Sequence, residues 1–120
     1  MAILTYGFLL REAHHARAIL EAAGRSVRLV NLRTVKPIDE AAVLAAVRET
    51  RLTVTVEDHF LTGGLYSIVA ELLLSHGVTG RVLPLALSER WFTPGLLARV
   101  LEAEGFTGEQ IAAKIAAKLG

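Results

Sequence analysis

The chain contains no cysteine among its 120 residues, which excludes disulfides, thiolate nucleophiles and cysteine-type zinc sites. No uninterrupted apolar run approaches the roughly 20 residues that a membrane span needs. Met1-Ala2-Ile3-Leu4 lacks the basic flank and apolar length of a secretory leader. A cytoplasmic domain without a membrane partner is therefore expected. Neither charge sign dominates, with 13 basic residues against 12 acidic ones, so there is no electrostatic reason to expect nucleic acid. Repeats, low-complexity tracts and linkers are also missing. The length suits a single domain over residues 1–120.

Apolar residues are abundant. They make up 52% of the chain, and the mean hydropathy is +0.45. A domain of this size buries only about two-thirds of its unfolded surface. Part of the excess should remain outside, where an apolar patch marks a contact surface. An Ala- and Leu-rich genome would raise the same average.

Glycines punctuate the chain. Ala2 to Tyr6 reads as a strand ending at Gly7. Phe8 to Ala23 carries Leu9, Ala13, Ala16, Leu20 and Ala23 at helical spacing, and Gly24 sits where a helix ends. Val27 to Leu32 is a second strand, and Asp39 caps a helix to about Arg48. Leu52 to Val56 is a third strand, followed by the loop Glu57–Gly64 and a helix over Leu65–His76. Arg81 to Leu87 is a fourth strand. Thr93-Pro94 reads as a helix start, and Thr107 with Gln110 as the capping box of a last helix. This alternation predicts a three-layer α/β/α domain. Its mainly parallel sheet has four strands in the doubly wound order 2-1-3-4, with ligands or partners met at the carboxyl ends of the strands.

The chemistry-bearing residues collect in the loops at that edge. Gly63-Gly64 suits either a tight turn or an anion site at a helix start. No phosphate-loop Lys or G-x-G-x-x-G accompanies it, so nucleotide binding has no support. Glu57, Asp58 and His59 could supply an acid/base or a metal ligand, or a hydrogen-bonded loop or interface contact. Consecutive residues of an extended loop point apart, which disfavours convergence on one ion. His14 and His15 sit on consecutive helical positions and read as a solvated basic face. Arg33 and Lys36 flank the turn before Pro37 and could hold a carboxylate or phosphate. Trp91 and Phe92 suit a core anchor and an interface contact equally. The helix from Leu65 is apolar nearly all round, which calls for cover on more than one side; Leu65 and Leu73 are its candidate interface residues.

The ordered set Tyr6-Gly7, Asn31-Leu32-Arg33-Thr34-Val35-Lys36-Pro37-Ile38-Asp39, Val56-Glu57-Asp58-His59 and Gly63-Gly64-Leu65 resembles the C-terminal domain of the transketolase family. That family includes transketolase, 1-deoxyxylulose-5-phosphate synthase and the beta subunits of pyruvate and branched-chain 2-oxo acid dehydrogenases. The resemblance implies a domain attached to thiamine-diphosphate enzymes. In these the cofactor and its Mg ion lie between two other domains, one of which carries the activating carboxylate. No Gly-Asp-Gly metal motif occurs in this chain. The family's domain usually has a further antiparallel edge strand before the one matching Ala2–Tyr6, which this chain lacks.

A non-catalytic assembly or interface domain of such an enzyme is the leading expectation. The chain would bind no cofactor or metal itself, and the complete enzyme would transfer a ketol unit or decarboxylate a 2-oxo acid. Its partners would be a second copy or companion thiamine-diphosphate-binding domains. The contact residues expected are Arg33, Lys36, Glu57, His59, Gly63, Gly64, Leu65 and Leu73. One alternative is a stand-alone module binding a small anion or phosphate in the crevice between the Gly7 and Gly63 turns. Another is a freestanding enzyme using Glu57 and His59.

Overall fold

In the computed structural model, which describes residues 1–120, strand β1 (Ala2–Thr5) is buried along its whole length. It can be so only with strands on both edges and helices on both faces. β2 (Arg28–Asn31) pairs with one edge and β3 (Thr53–Phe60) with the other, and β4 (Val82–Leu87) lies outside β3. All three pairings are parallel, in the order β2-β1-β3-β4, as the alternation predicts. The point where the winding reverses lies between β1 and β3.

Alternation along the strands sends side chains into two cores. Ile3, Val54 and Val56 face α1 (Leu10–Ala22) and the C-terminal α5 (Gly108–Leu119), meeting Ala13, Ala16, Ile111 and Ile115. Ala2 and Leu4 face α2 (Glu40–Glu49) and α3 (Leu65–Ser75), meeting Val43, Val47, Val69 and Leu72. Helix starts follow the local chemistry. The Asp39 side chain accepts from the Ala42 N–H at 3.0 Å, and Thr107 and Gln110 form the reciprocal capping box of α5.

Two boundaries differ from the sequence reading. β3 does not stop at Val56 but runs through Glu57, Asp58 and His59 to Phe60. Pairing with β4 resumes at Phe60↔Leu87 after a register shift, so hydrogen bonding extends the strand through polar residues. The fourth helix, α4 (Leu97–Glu104), starts four residues after Thr93, with an extended Leu96 before it. Gly95 would stand in the first turn of a helix begun at Pro94, where glycine costs backbone entropy. The polypeptide from Trp91 to Leu96 has no regular structure.

Candidate functional site

β1 and β3 end side by side, and their ends position an internal acid. Glu57 lies on the α3 face of the sheet and is 0% exposed. Its carboxylate accepts from the Leu65 N–H at 2.5 Å and the Tyr66 N–H at 3.0 Å, the first free donors of α3. A carboxylate there also complements the positive end of the helix. Burial raises the Glu57 pKa, opposed by these two N–H bonds and by His59 and reinforced by Asp58. The Tyr6 phenol, at the end of β1, is likewise raised by burial and by the charges of Glu57 and Asp58.

The two glycines of the loop have separate tasks. A Cβ on Gly64 would overlap the Glu57 carboxylate and approach the Phe60 carbonyl. Gly64 is therefore the residue that admits the acid beneath the helix. Gly63 has φ +86°, a conformation glycine adopts freely, and its N–H donates to Ser67 Oγ at 2.8 Å. The loop is a turn under a packed helix, and the chain's own glutamate fills the anion position.

The expected contact residues thus divide. Glu57, Gly64, Leu65 and Leu73 are buried. Leu73 packs with Leu44, Val47 and Val69 in the α2–α3 core; the exposed leucine of α3 is Leu74, at 84%. Arg33, Lys36, His59 and Gly63 are exposed. Arg33 helps line a cleft of about 450 Å³ with Tyr6, Gly7 and Asn31 at the ends of β1 and β2. His59 bonds through Nδ1 to the Phe60 carbonyl oxygen at 2.8 Å. No group of three His, Cys, Asp or Glu side chains could hold a metal ion. His14 and His15 are both exposed, with His15 3.6 Å from Glu109.

A second cavity lies beyond the end of β4. It encloses about 330 Å³ between the last strands and α4, with Phe8, Leu87, Phe92 and Phe106 among its walls. Asp58 and Glu104 are its acidic lining residues. Trp91 and Phe92 take opposite roles, Phe92 lining this cavity and Trp91 standing 86% exposed. Phe8, Leu96 and Leu97 are exposed too, and the sequence reading did not single them out. A signal existed: Leu97, Val100 and Leu101 form an i, i+3, i+4 stripe. A helix start placed at Thr93 obscured that this stripe lines the cavity, with Leu101 also packed against the α1–α5 core.

No helix of the chain is long and apolar enough to cross a membrane.

Comparison with known proteins gives consistent matches. The family model for the transketolase C-terminal domain matches residues 1–111. A 1-deoxy-D-xylulose-5-phosphate synthase of Symbiobacterium thermophilum is 36% identical over 119 residues, covering 99% of this chain and 18% of that protein. The enzyme of the same name from Syntrophotalea carbinolica is 35% identical over 113 residues, covering 94% of this chain and 18% of that protein. Among solved structures, a split-gene transketolase, described as an inactive beta4 tetramer, superposes with TM-score 0.87 and 31% identity. That match covers 97% of this chain and 38% of the other. The chain thus spans less than a fifth of the two synthases.

Proposed function

The chain belongs to the transketolase C-terminal-domain family, and we propose that it serves as the non-catalytic assembly domain of a thiamine-diphosphate-dependent enzyme. The complete enzyme would transfer a two-carbon ketol unit or decarboxylate a 2-oxo acid. Companion polypeptide or domains would supply the cofactor site.

The observation that carries this reading is the use made of Glu57. It is the one acid buried in the chain, and both its oxygens are engaged by the start of α3. The other carboxylates at this edge form no metal-ligating group. These residues do not fit thiamine diphosphate with its metal, so no catalytic step is assigned to them. The chain's share of its relatives, 18% of each synthase, supports an activity that depends on further domains. The split-gene transketolase described as an inactive beta4 tetramer supports assembly without catalysis.

Calorimetric titration of the purified chain with thiamine diphosphate and magnesium tests the reading. No binding heat is expected. Micromolar binding would place a cofactor site on this chain and overturn the assignment.

A further inference from the structure

The balanced overall charge conceals an uneven distribution. All four strands are parallel, so their amino ends share one edge of the sheet, opposite the loop that holds Gly63 and Gly64. Arg28, Ala2, Thr53 and Val82 stand in one row across that edge. Arg25, Arg51 and Arg81 lie in the segments that lead into β2, β3 and β4. Arg48 and Lys118 occupy the last turns of α2 and α5. Arg81 Nη2 donates to the Lys118 carbonyl oxygen at 3.2 Å. A Cβ on Gly80 would overlap Val47, so the segment before Arg81 rests on the end of α2. Six of the 13 basic residues therefore gather at this edge.

All six are exposed. Arg28 pairs with Glu49 at 2.6 Å. Arg25, Arg48, Arg51, Arg81 and Lys118 enter none of the chain's ion pairs. A cation at the carboxyl end of a helix complements the helix dipole, which accounts for Arg48 and Lys118. It does not account for Arg25, Arg51 and Arg81, which stand outside the helices. Like charges gathered at one edge repel, at a cost to the compact state. A counter-charge supplied from outside relieves that cost.

We propose that this edge binds an extended acidic segment of a partner polypeptide. Five of the six basic residues are arginines, whose planar fork meets a carboxylate in two parallel hydrogen bonds. No aromatic residue occurs in Gly24–Arg28, Arg48–Thr53 or Val78–Val82, so the edge offers nucleobases no stacking platform. Neither cavity described above is lined by any of the six, and the charges form an open row that suits an extended ligand. Strands stand about 4.8 Å apart and an extended chain rises about 3.3 Å per residue, so about four residues cross the sheet. The proposal rests on the assembly reading and gives the chemistry of one partner.

Fluorescence anisotropy of a labelled deca-glutamate peptide, titrated with the purified chain, provides the test. Binding should be saturable in about 0.1 M salt and weaken as salt rises, because exposed charges are screened. Reversing two arginines that enter no ion pair, as Arg25→Glu with Arg51→Glu, should weaken binding about 10-fold or more. The circular dichroism should not change, since both side chains are exposed. Arg11→Glu reverses an exposed, unpaired arginine at the start of α1, beyond the carboxyl end of β1. It should alter the affinity by no more than about 2-fold, since charges beyond about 10 Å are largely screened in that salt. Absence of saturable binding, equal binding by the doubly reversed chain, or tighter binding of a ten-nucleotide thymidine oligomer would each overturn the proposal. None of these results touches the assembly reading, which fails instead on cofactor binding by the isolated chain.

Discussion

Glu57 and Gly64 contend for one volume: the carboxylate occupies the space that a side chain at Gly64 would need. The backbone at Gly64 has φ −94° and ψ −158°, so its requirement for glycine is steric and owes nothing to a left-handed conformation. Gly64→Ala should therefore destabilise the fold by overpacking, by about 1–3 kcal/mol. Urea unfolding measures this directly. An alanine tolerated without loss would show that the carboxylate is free to move aside.

Glu57→Ala should cost about 1–3 kcal/mol for each backbone donor left buried and unpaired, here the N–H groups of Leu65 and Tyr66. In that background Gly64→Ala should cost much less, because the clash is gone. The double-mutant cycle should show clear coupling, as contacting residues do. Additive losses would contradict the contact.

The raised Glu57 pKa makes stability depend on pH in a defined direction. The folded chain holds the proton to a higher pH than the unfolded chain. The contribution of Glu57 to stability is thus fully present below the ordinary carboxyl value of about 4.3. It is lost as pH rises through the raised value, since the folded state binds more protons over that interval. Glu57→Gln abolishes this titration. The stability of the unmodified chain minus that of the variant should decline across the window. A difference that rises with pH would mean that the two N–H bonds outweigh desolvation.

Neighbouring leucines of α3 should respond oppositely to charge. Leu73 is 8% exposed and Leu74 84%. Leu73→Lys places an unpaired ammonium in the α2–α3 core and should cost several kcal/mol, on the order of 3–5. Leu74→Lys should change stability by no more than about 0.5 kcal/mol. Thermal melts of the two variants separate these outcomes, and equal losses would mean that Leu74 is covered.

The alternation of strands and helices was legible because each change of period is marked by a local signal: Gly24 after α1, Asp39 before α2, Gly77 after α3 and the Thr107–Gln110 box before α5. The end of β3 was not legible. Glu57-Asp58-His59 looks like a loop by polarity, and only its pairing with β4 extends the strand. The burial of Glu57 was hidden for a related reason: its partners lie eight and nine residues away, on a helix folded back over it. Leu73 and Leu74 differ in exposure although sequence offers the same residue twice. The face that α3 turns inward depends on α2 and the sheet. At α4, the Thr93-Pro94 pair imitated a helix start that Gly95 displaces.

On the proposed reading, this chain assembles a thiamine-diphosphate enzyme without performing its chemistry. The most direct measurement is thiamine-diphosphate-dependent turnover of ketose phosphates and 2-oxo acids, by the isolated chain and by the native assembly purified through a tag on it. Turnover is expected from the assembly and none from the chain alone. Turnover by the isolated chain, or a native assembly that is inactive and free of thiamine diphosphate, would contradict the account.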